Sequence, residues 1–191
     1  GQLGHDVACE LVKRRHDVIG ADIFPQISLP VQYAQLDITD AVAVNEVIGR
    51  YHPEIVIHCA AWTAVDDAED ESNRERVQLI NVTGTKYIAE AAKAVDAKMV
   101  YISTDYVFDG MGDVPWKPEC TAYAPLNVYG QTKLEGERAV AKILQKYFIV
   151  RIAWVFGENG RNFVQTMLQL AQNHTQLCVV NDQIGTPTYT Y

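Results

Sequence analysis

The chain has 191 residues, of which 48% are hydrophobic and 21% are charged, and its formal net charge is −8. This composition is ordinary for a globular protein and argues against a disordered chain. The acidic balance also argues against a protein that binds nucleic acid, because such proteins usually present a basic face to the phosphates. No apolar run approaches the ~18 residues of a membrane span, so no membrane protein is expected.

Predicted helices and strands alternate along the chain. In chain order we expect a helix over 2–15, a strand over 17–22, a helix marked by apolar residues 42–48, a strand over 54–59, a helix over 74–95, a strand over 98–103, a helix over 127–145, a strand over 147–152, a helix marked by 163–170 and a strand over 176–180. The strand segments are almost continuously apolar, which is typical of strands covered on both faces. This order predicts an α/β fold with a doubly wound parallel sheet of the Rossmann type. Thr39 or Asp40 is expected to cap the second helix.

The four cysteines are spaced too widely for a CxxC pair. We therefore expect no metal site of the zinc type and reduced, partly buried thiols. Reduced thiols in turn favour a cytoplasmic protein.

The first helix begins with a short glycine pattern, Gly1-x-x-Gly4. These residues match the last two glycines of the turn that precedes the first helix of a dinucleotide-binding unit, where the helix N-terminus binds the pyrophosphate. Asp22 follows about twenty residues later, at the end of a predicted strand, where an acid binds the ribose 2′-hydroxyl and repels a 2′-phosphate. Without Asp22, the glycine pattern is equally compatible with an ordinary helix start.

The clearest chemical signal is Tyr129, followed four residues later by Lys133. On a helix the two side chains share one face, and an ammonium beside a phenol lowers the pKa of the phenol, so that it can transfer a proton. Ser103 and Thr104 end the preceding predicted strand, at the edge of the sheet where ligands bind in this fold. Taken alone, the Tyr–Lys pair is more typical of an exposed helical pair.

Several motifs together resemble the extended short-chain dehydrogenase/reductase family and, within it, the dTDP-4-dehydrorhamnose reductases. They are LDITD at 36–40, AAWTAVD at 60–66, NVTGT at 81–85, STDYVFDG at 103–110, PLNVYG at 125–130, RIAWVFG at 151–157 and NDQIGTPT at 181–188. The resemblance implies that hydride passes from NADH or NADPH to the C4 ketone of dTDP-4-dehydro-L-rhamnose. Tyr129 would be the general acid, Lys133 would lower its pKa and hold the nicotinamide ribose, and Thr104 would orient the ketone.

The resemblance also implies two sets of binding residues. The cofactor set comprises Gly1, Gln2, Leu3, Gly4, Asp22, Asp37, Ile38, Ala60, Ala61, Thr63, Tyr129 and Lys133. The sugar-nucleotide set comprises Val65, Thr104, Asp105, Tyr106 and Trp154, with Asn162 and Gln183 as weaker candidates. Trp154 is also compatible with a core aromatic residue. Asp22 slightly favours NADH over NADPH.

Three further residues receive structural interpretations. We expect Asn81 to position a helix, Arg151 to be a paired charge at a strand end, and His58, where many relatives carry Asn, to be a structural histidine.

Family members begin with a strand and a longer glycine motif and continue beyond the end of this chain. We therefore expect residues 1–160 to form a Rossmann domain without its first strand. Residues 161–191 are expected to supply its last helix and strand and only a remnant of a smaller C-terminal substrate domain. A homodimer and a Mg²⁺ requirement, as in some relatives, stay open. Two alternatives also stay open: another nucleotide-sugar epimerase or dehydratase, and an NADP-binding regulatory subunit of the methionine adenosyltransferase type.

Overall fold

The computed structural model describes residues 1–25, 29 and 31–191. In chain order the helices and strands are α1 (Gln2–Lys13), β1 (Ile19–Asp22), β2 (Gln32–Gln35), α2 (Ala41–Tyr51), β3 (Ile55–His58), α3 (Glu71–Gln78), a π-helix (Leu79–Gly84), α4 (Thr85–Ala94), β4 (Lys98–Thr104), α5 (Val128–Ile143), β5 (Tyr147–Ile152), β6 (Val155–Phe156), α6 (Phe163–Ala171) and β7 (Thr188–Tyr189). Single 3₁₀ turns lie at Asp67–Glu69 and Asp105–Val107.

The described strands form three small sheets. β4 lies between β3 and β5, β1 neighbours β2, and β6 neighbours β7. β3 and β4 run parallel, in a register that places Ile55 opposite Lys98 and His58 opposite Tyr101. β6 and β7 are also parallel. Parallel pairing of strands that alternate with helices confirms the predicted α/β class.

The chain divides into two units, which we describe separately. The smaller unit contains residues 1–20 and 152–191, and the larger unit contains residues 21–25 and 33–151. In the larger unit the central strand β4 contributes Met99 and Tyr101, both fully buried, to a core that α2, α4 and α5 cover through Val44, Ile88 and Val140. The burial of these apolar side chains fixes α5 against β4.

Three features differ from the sequence-based prediction. The predicted strand over 176–180 is wrong, because this segment is irregular and Val179 and Val180 remain 52% and 69% exposed. An apolar run becomes a strand only if a sheet edge can pair with it, and none of the described strands does so here. The predicted helix over 74–95 begins earlier and contains the π-helix. The short strands β2, β6 and β7 were not predicted.

Candidate active site

The candidate site in the larger unit starts at the carboxyl end of β4. Thr104 is the last residue of the strand and is buried. Its hydroxyl donates to Asp105 Oδ1 at 3.1 Å and accepts the Tyr106 backbone N–H at 3.2 Å. Thr104 therefore caps the 3₁₀ turn that follows the strand.

Two side chains fix the start of α5. The Asn127 side chain accepts the Gly130 N–H at 2.7 Å, and Glu69 Oε1 accepts the Val128 N–H at 2.7 Å. Both satisfy backbone groups that the first turn of a helix leaves without an intrahelical partner. A Cβ atom at Gly130 would overlap the Tyr106 carbonyl, so only glycine allows this close approach. The first turn of α5, which carries Tyr129, is thereby held against the end of β4.

Tyr129 and Thr104, both predicted as catalytic, come together in this arrangement. The Thr104 hydroxyl lies close enough to the Tyr129 hydroxyl to act on the pKa of the phenol. The Tyr106 ring lies edge-on to the Tyr129 ring, with the centroids 5.9 Å apart. Burial raises the pKa of Tyr129 to about 12, and the nearby Thr104 hydroxyl opposes that shift. The phenol therefore holds its proton at neutral pH.

Lys133 lies one helical turn after Tyr129 and is buried. Its Nζ donates to the Ile102 carbonyl oxygen at 2.7 Å and lies 4.2 Å from the centroid of the Tyr101 ring. Burial lowers the pKa of Lys133 to about 7, although the negative charge of Glu137 opposes the shift.

The effect that the sequence predicted for this pair, a lowered pKa of Tyr129, is wrong for this structure. The Lys133 ammonium is directed at a β4 carbonyl oxygen, and burial dominates at the phenol.

Asn81, in the π-helix, joins the loop after β3 to α5. Its Oδ1 accepts the Trp62 backbone N–H at 2.8 Å, and its Nδ2 donates to Thr132 Oγ1 at 3.0 Å. Asn81 is 1% exposed. These contacts confirm the expected positioning role. The loop that Asn81 holds contains several of the predicted binding residues, of which Ala60 and Thr63 are exposed and Ala61 and Val65 are half-buried.

The other predicted cofactor residues of the larger unit follow strands β1 and β2. Asp22 ends β1, and its Oδ1 accepts the Ile23 N–H at 2.8 Å. Asp37 is exposed, and its Oδ1 accepts the Thr39 N–H at 2.9 Å, while Ile38 packs beside Gly84. Asp37 and Ile38 follow β2, which ends at Gln35.

The predicted pyrophosphate residues belong to the smaller unit. Gly1 precedes α1 and offers no side chain to cap it, Gln2, Leu3 and Gly4 form the first turn, and that turn contains no acid. The Gln2 side-chain amide is engaged with the Asn162 side chain at 3.3 Å. Backbone N–H groups and the positive end of the helix dipole therefore provide the groups that suit an anion here.

Trp154, Asn162 and Gln183 also lie in the smaller unit. Trp154 is 49% exposed with φ at +47°, so its interpretation as a core aromatic residue is wrong. Non-glycine residues in this backbone region are uncommon and cluster at functional sites. Gly185 packs against the Trp154 indole. Asn162 caps α6 by accepting the Gln165 N–H at 3.1 Å, and Gln183 is exposed.

The sequence reasoning missed two residues close to the site. Glu69 caps α5 across a separation of 59 residues, and no local pattern indicates such a contact. Glu137 forms a salt bridge with Arg151 at 2.7 Å, which confirms Arg151 as a paired charge. The spacing of Glu137, four residues after Lys133, is a signal that could have pointed to it.

The described residues contain neither a metal-binding cluster nor a membrane-spanning helix. Among them, no group of three or more His, Cys, Asp or Glu side chains is placed to hold a metal ion. No helix in the described part of the chain is both long enough and apolar enough to cross a membrane.

Comparison with known proteins places this geometry in a family. The sequence model of the RmlD substrate binding domain matches residues 1–191. The chain belongs to this family. The dTDP-4-dehydrorhamnose reductase of Escherichia coli strain K12 is 48% identical over 152 residues, which cover 80% of this chain and 50% of that protein. The reductase of Aggregatibacter actinomycetemcomitans is 42% identical over 191 residues, which cover 100% of this chain and 60% of that protein.

A solved structure supports the same relationship. The dTDP-4-dehydrorhamnose reductase of Bacillus anthracis strain Ames, determined in complex with NADP, superposes with a TM-score of 0.84 at 41% identity. The match covers 100% of this chain and 63% of that chain. The likeness confirms the Rossmann-like α/β fold. The chain thus spans about half to two thirds of the length of these relatives.

Proposed function

We propose that the whole protein reduces the C4 ketone of dTDP-4-dehydro-L-rhamnose to dTDP-L-rhamnose with a nicotinamide cofactor, the last step of dTDP-rhamnose synthesis. The family membership and the names of the relatives support this proposal. The observation that carries it is the convergence of Thr104 and Tyr129 at the carboxyl end of β4, with Lys133 one helical turn away. Ligands of open α/β sheets bind at this end of the strands.

The proposed chemistry assigns one task to each of these three residues. Thr104 orients the ketone by hydrogen bonding to its oxygen. Tyr129 donates its proton to that oxygen as negative charge develops there, a role that suits a phenol protonated at neutral pH. Lys133 supplies a buried positive charge close to the developing alkoxide. A bound nicotinamide cofactor would supply the hydride.

The residues present fit such a cofactor. The first turn of α1 offers backbone N–H groups without a capping side chain or an acid, which suits a pyrophosphate. Lys133 Nζ has three donors, and among the described residues the Ile102 carbonyl oxygen is the one acceptor bonded to it, so two donors remain for ribose hydroxyls. Asp22 at the end of β1 suits the adenosine ribose and favours NADH. The complex of the Bacillus anthracis relative contains NADP, so NADPH stays open.

The remaining assignments belong to the same proposal. The nucleotide sugar is contacted by Val65, Asp105, Tyr106 and Trp154. Residues 1–160 form the cofactor domain, and residues 161–191 complete it and begin the substrate-binding region. The protein acts in the cytoplasm as a homodimer, which sedimentation of the full-length protein tests. The proposal routes no step through a metal ion.

The test uses the full-length protein and the dTDP-4-keto sugar, generated in situ by its upstream enzymes. Loss of NADH or NADPH absorbance, together with formation of dTDP-L-rhamnose, is the expected result. Tyr129→Phe should lower kcat by at least ~100-fold, because general acid catalysis contributes roughly 10²–10⁴-fold. Tyr87→Phe is the matched control, since Tyr87 packs beside the hydrophobic core in α4 and not at the site.

Three results would refute the proposal that the protein is a reductase. These are wild-type protein that oxidises no cofactor, an unaltered rate in Tyr129→Phe, and an equal loss in Tyr87→Phe. An epimerase or dehydratase would convert a nucleotide sugar without net oxidation of added NADH. A regulatory subunit would form a stable complex with a foreign enzyme and show no turnover of its own.

A further inference from the structure

α5 carries a second buried charge, Glu137, which the proposed reaction does not use. Glu137 follows Lys133 by four residues, so the two side chains lie on one face of the helix. Both residues are 3% exposed. A carboxylate is strongly unfavourable in such an environment unless it is paired.

Arg151 of β5 supplies that partner. Its Nε donates to Glu137 Oε1 at 2.9 Å and its Nη2 donates to Oε2 at 2.7 Å, in a two-pronged contact. Nη2 also donates to the Tyr123 hydroxyl at 2.8 Å. The guanidinium carbon lies 5.1 Å from the centroids of the Phe108 and Tyr123 rings. These contacts hold the Glu137 carboxylate in one orientation, because the planar guanidinium fork fits both oxygens at once.

Five titratable groups surround Lys133: His58 of β3, Cys59 after β3, Tyr101 of β4, and Tyr129 and Glu137 of α5; Tyr129 holds its proton at neutral pH, as described above. Burial lowers the pKa of His58 to about 3 and raises the pKa of Cys59 to about 11, so both are neutral at neutral pH. Burial also raises the pKa of Tyr101, which keeps its proton. Among the described residues, Glu137 is therefore the one negative charge that faces Lys133.

Stability alone is a weak reason for this pair. Buried ion pairs are often no more stabilising than well-packed apolar residues of the same volume. A counter-charge beside a buried ammonium has a chemical consequence, however, because it opposes the loss of the proton that burial favours.

We propose that Glu137 is a positioning residue for Lys133: held by Arg151, its carboxylate keeps the Lys133 ammonium charged, one helical turn from Tyr129. This inference rests on the function proposed above. In this arrangement Arg151 on β5 orients Glu137 on α5, and Glu137 acts on the reaction through Lys133.

The first test is the pH profile of kcat/KM in full-length Glu137→Gln. This change removes the charge and keeps the shape, so Lys133 should lose its proton at lower pH. We expect the alkaline limb to move down by at least ~1 pH unit, with activity about tenfold lower at the alkaline end and partial recovery in mild acid. Asp96→Asn is the matched control, because the exposed Asp96 carboxylate accepts Lys146 Nζ at 2.7 Å with both oxygens. Its profile should equal that of the wild type.

A second measurement does not depend on activity. In full-length protein labelled with ¹³C at the lysine ε-carbon, NMR gives the titration midpoint of Lys133, with its signal assigned through Lys133→Arg. The midpoint should fall in Glu137→Gln, and an unchanged midpoint overturns the proposal. If the wild type reduces no sugar but the midpoint still falls, the proposed function fails and the coupling between Glu137 and Lys133 stands.

A double variant separates positioning from folding. Glu137→Met with Arg151→Met replaces the whole pair by apolar side chains, so it should fold even if Glu137→Gln leaves Arg151 too costly to bury. The Lys133 midpoint should remain lowered in the double variant. A wild-type midpoint and pH profile in a stable double variant would show a purely structural pair and overturn the proposal.

Discussion

Gly136 allows the close approach of α5 to β4 and the π-helix on which the candidate site depends. A Cβ atom added at this position would overlap the Tyr101 hydroxyl and lie 2.9 Å from the Asn81 carbonyl oxygen. Tyr101 is fully buried and Asn81 is 1% exposed, so neither group can move aside at low cost. Gly136→Ala is therefore expected to destabilise the fold, although alanine is the better helix former.

The magnitude follows from two opposing contributions. Replacing a helical glycine by alanine stabilises by about 1 kcal/mol, whereas inserting a methyl group into a close-packed core costs about 1–3 kcal/mol. Gly49 of α2 supplies the matched comparison, because it is exposed and a Cβ there meets nothing within 4 Å. Gly49→Ala should thus raise the free energy of unfolding by up to ~1 kcal/mol. The difference between the two variants isolates the steric cost, about 1–3 kcal/mol.

The assay is urea unfolding of the full-length protein, with the midpoint and slope compared between variants. Tyr101→Phe removes the hydroxyl that the new methyl group overlaps, so Gly136→Ala should cost less in that background than in the wild type. Equal stabilisation by Gly136→Ala and Gly49→Ala would refute the close packing of α5, as would a cost that Tyr101→Phe leaves unchanged.

Three further predictions concern other parts of the chain. Burial lowers the pKa of His58 from its ordinary value of 6.5 to about 3 in the folded protein. Between pH 3 and pH 6.5, the unfolded chain therefore binds one proton more than the folded protein. Stability should fall with acidification through this window by up to ~1.4 kcal/mol per pH unit, and His58→Gln should flatten that slope in chemical unfolding; an equal slope contradicts the assignment. Asp22→Asn should raise the ratio of kcat/KM for NADPH to that for NADH by at least about tenfold, since a charge that repels the 2′-phosphate is removed; an unchanged ratio excludes Asp22 as the selector. Asp40→Ala should cost about 1 kcal/mol of stability, measured by the unfolding midpoint, because the Asp40 side chain accepts the N–H groups of Val42 and Ala43 at the start of α2. Asp40→Asn should keep most of this stability, and an equal loss in the two variants would argue against capping.

Local patterns predicted most of the elements that carry the site. The apolar run that ends at Thr104 and the helical spacing from Tyr129 to Lys133 are encoded within single segments, so they could be assigned without tertiary information. The segment 176–180 has the same apolar character but forms no strand, because strand formation depends on a partner edge that the local sequence does not specify. The pattern of apolar residues also does not indicate the π-helix, although this helix places Asn81 between the loop after β3 and α5.

The electrostatics of the site could be predicted less well than its residues. Spacing alone suggested that Lys133 lowers the pKa of Tyr129, whereas the structure buries both groups and turns the ammonium toward the Ile102 carbonyl oxygen. Burial disfavours the charged form of each, which raises the pKa of the phenol and lowers that of the ammonium. The contact between Glu137 and Arg151 spans 14 residues and two elements, so only the packing of β5 against α5 reveals it.

The order of the pKa values of Tyr129 and Lys133 suits proton donation by Tyr129 near neutral pH, as the proposed reaction requires. With the pKa of Tyr129 at about 12, the phenol is almost fully protonated and ready to donate. Oxidation of an alcohol would need the phenolate, which is scarce at that pKa. Lys133, with a pKa of about 7, changes its charge near neutral pH, whereas Tyr129 does not. If the proposed reaction requires a charged Lys133, the pKa of Lys133 sets its alkaline limit, and the Glu137 carboxylate extends that limit to higher pH.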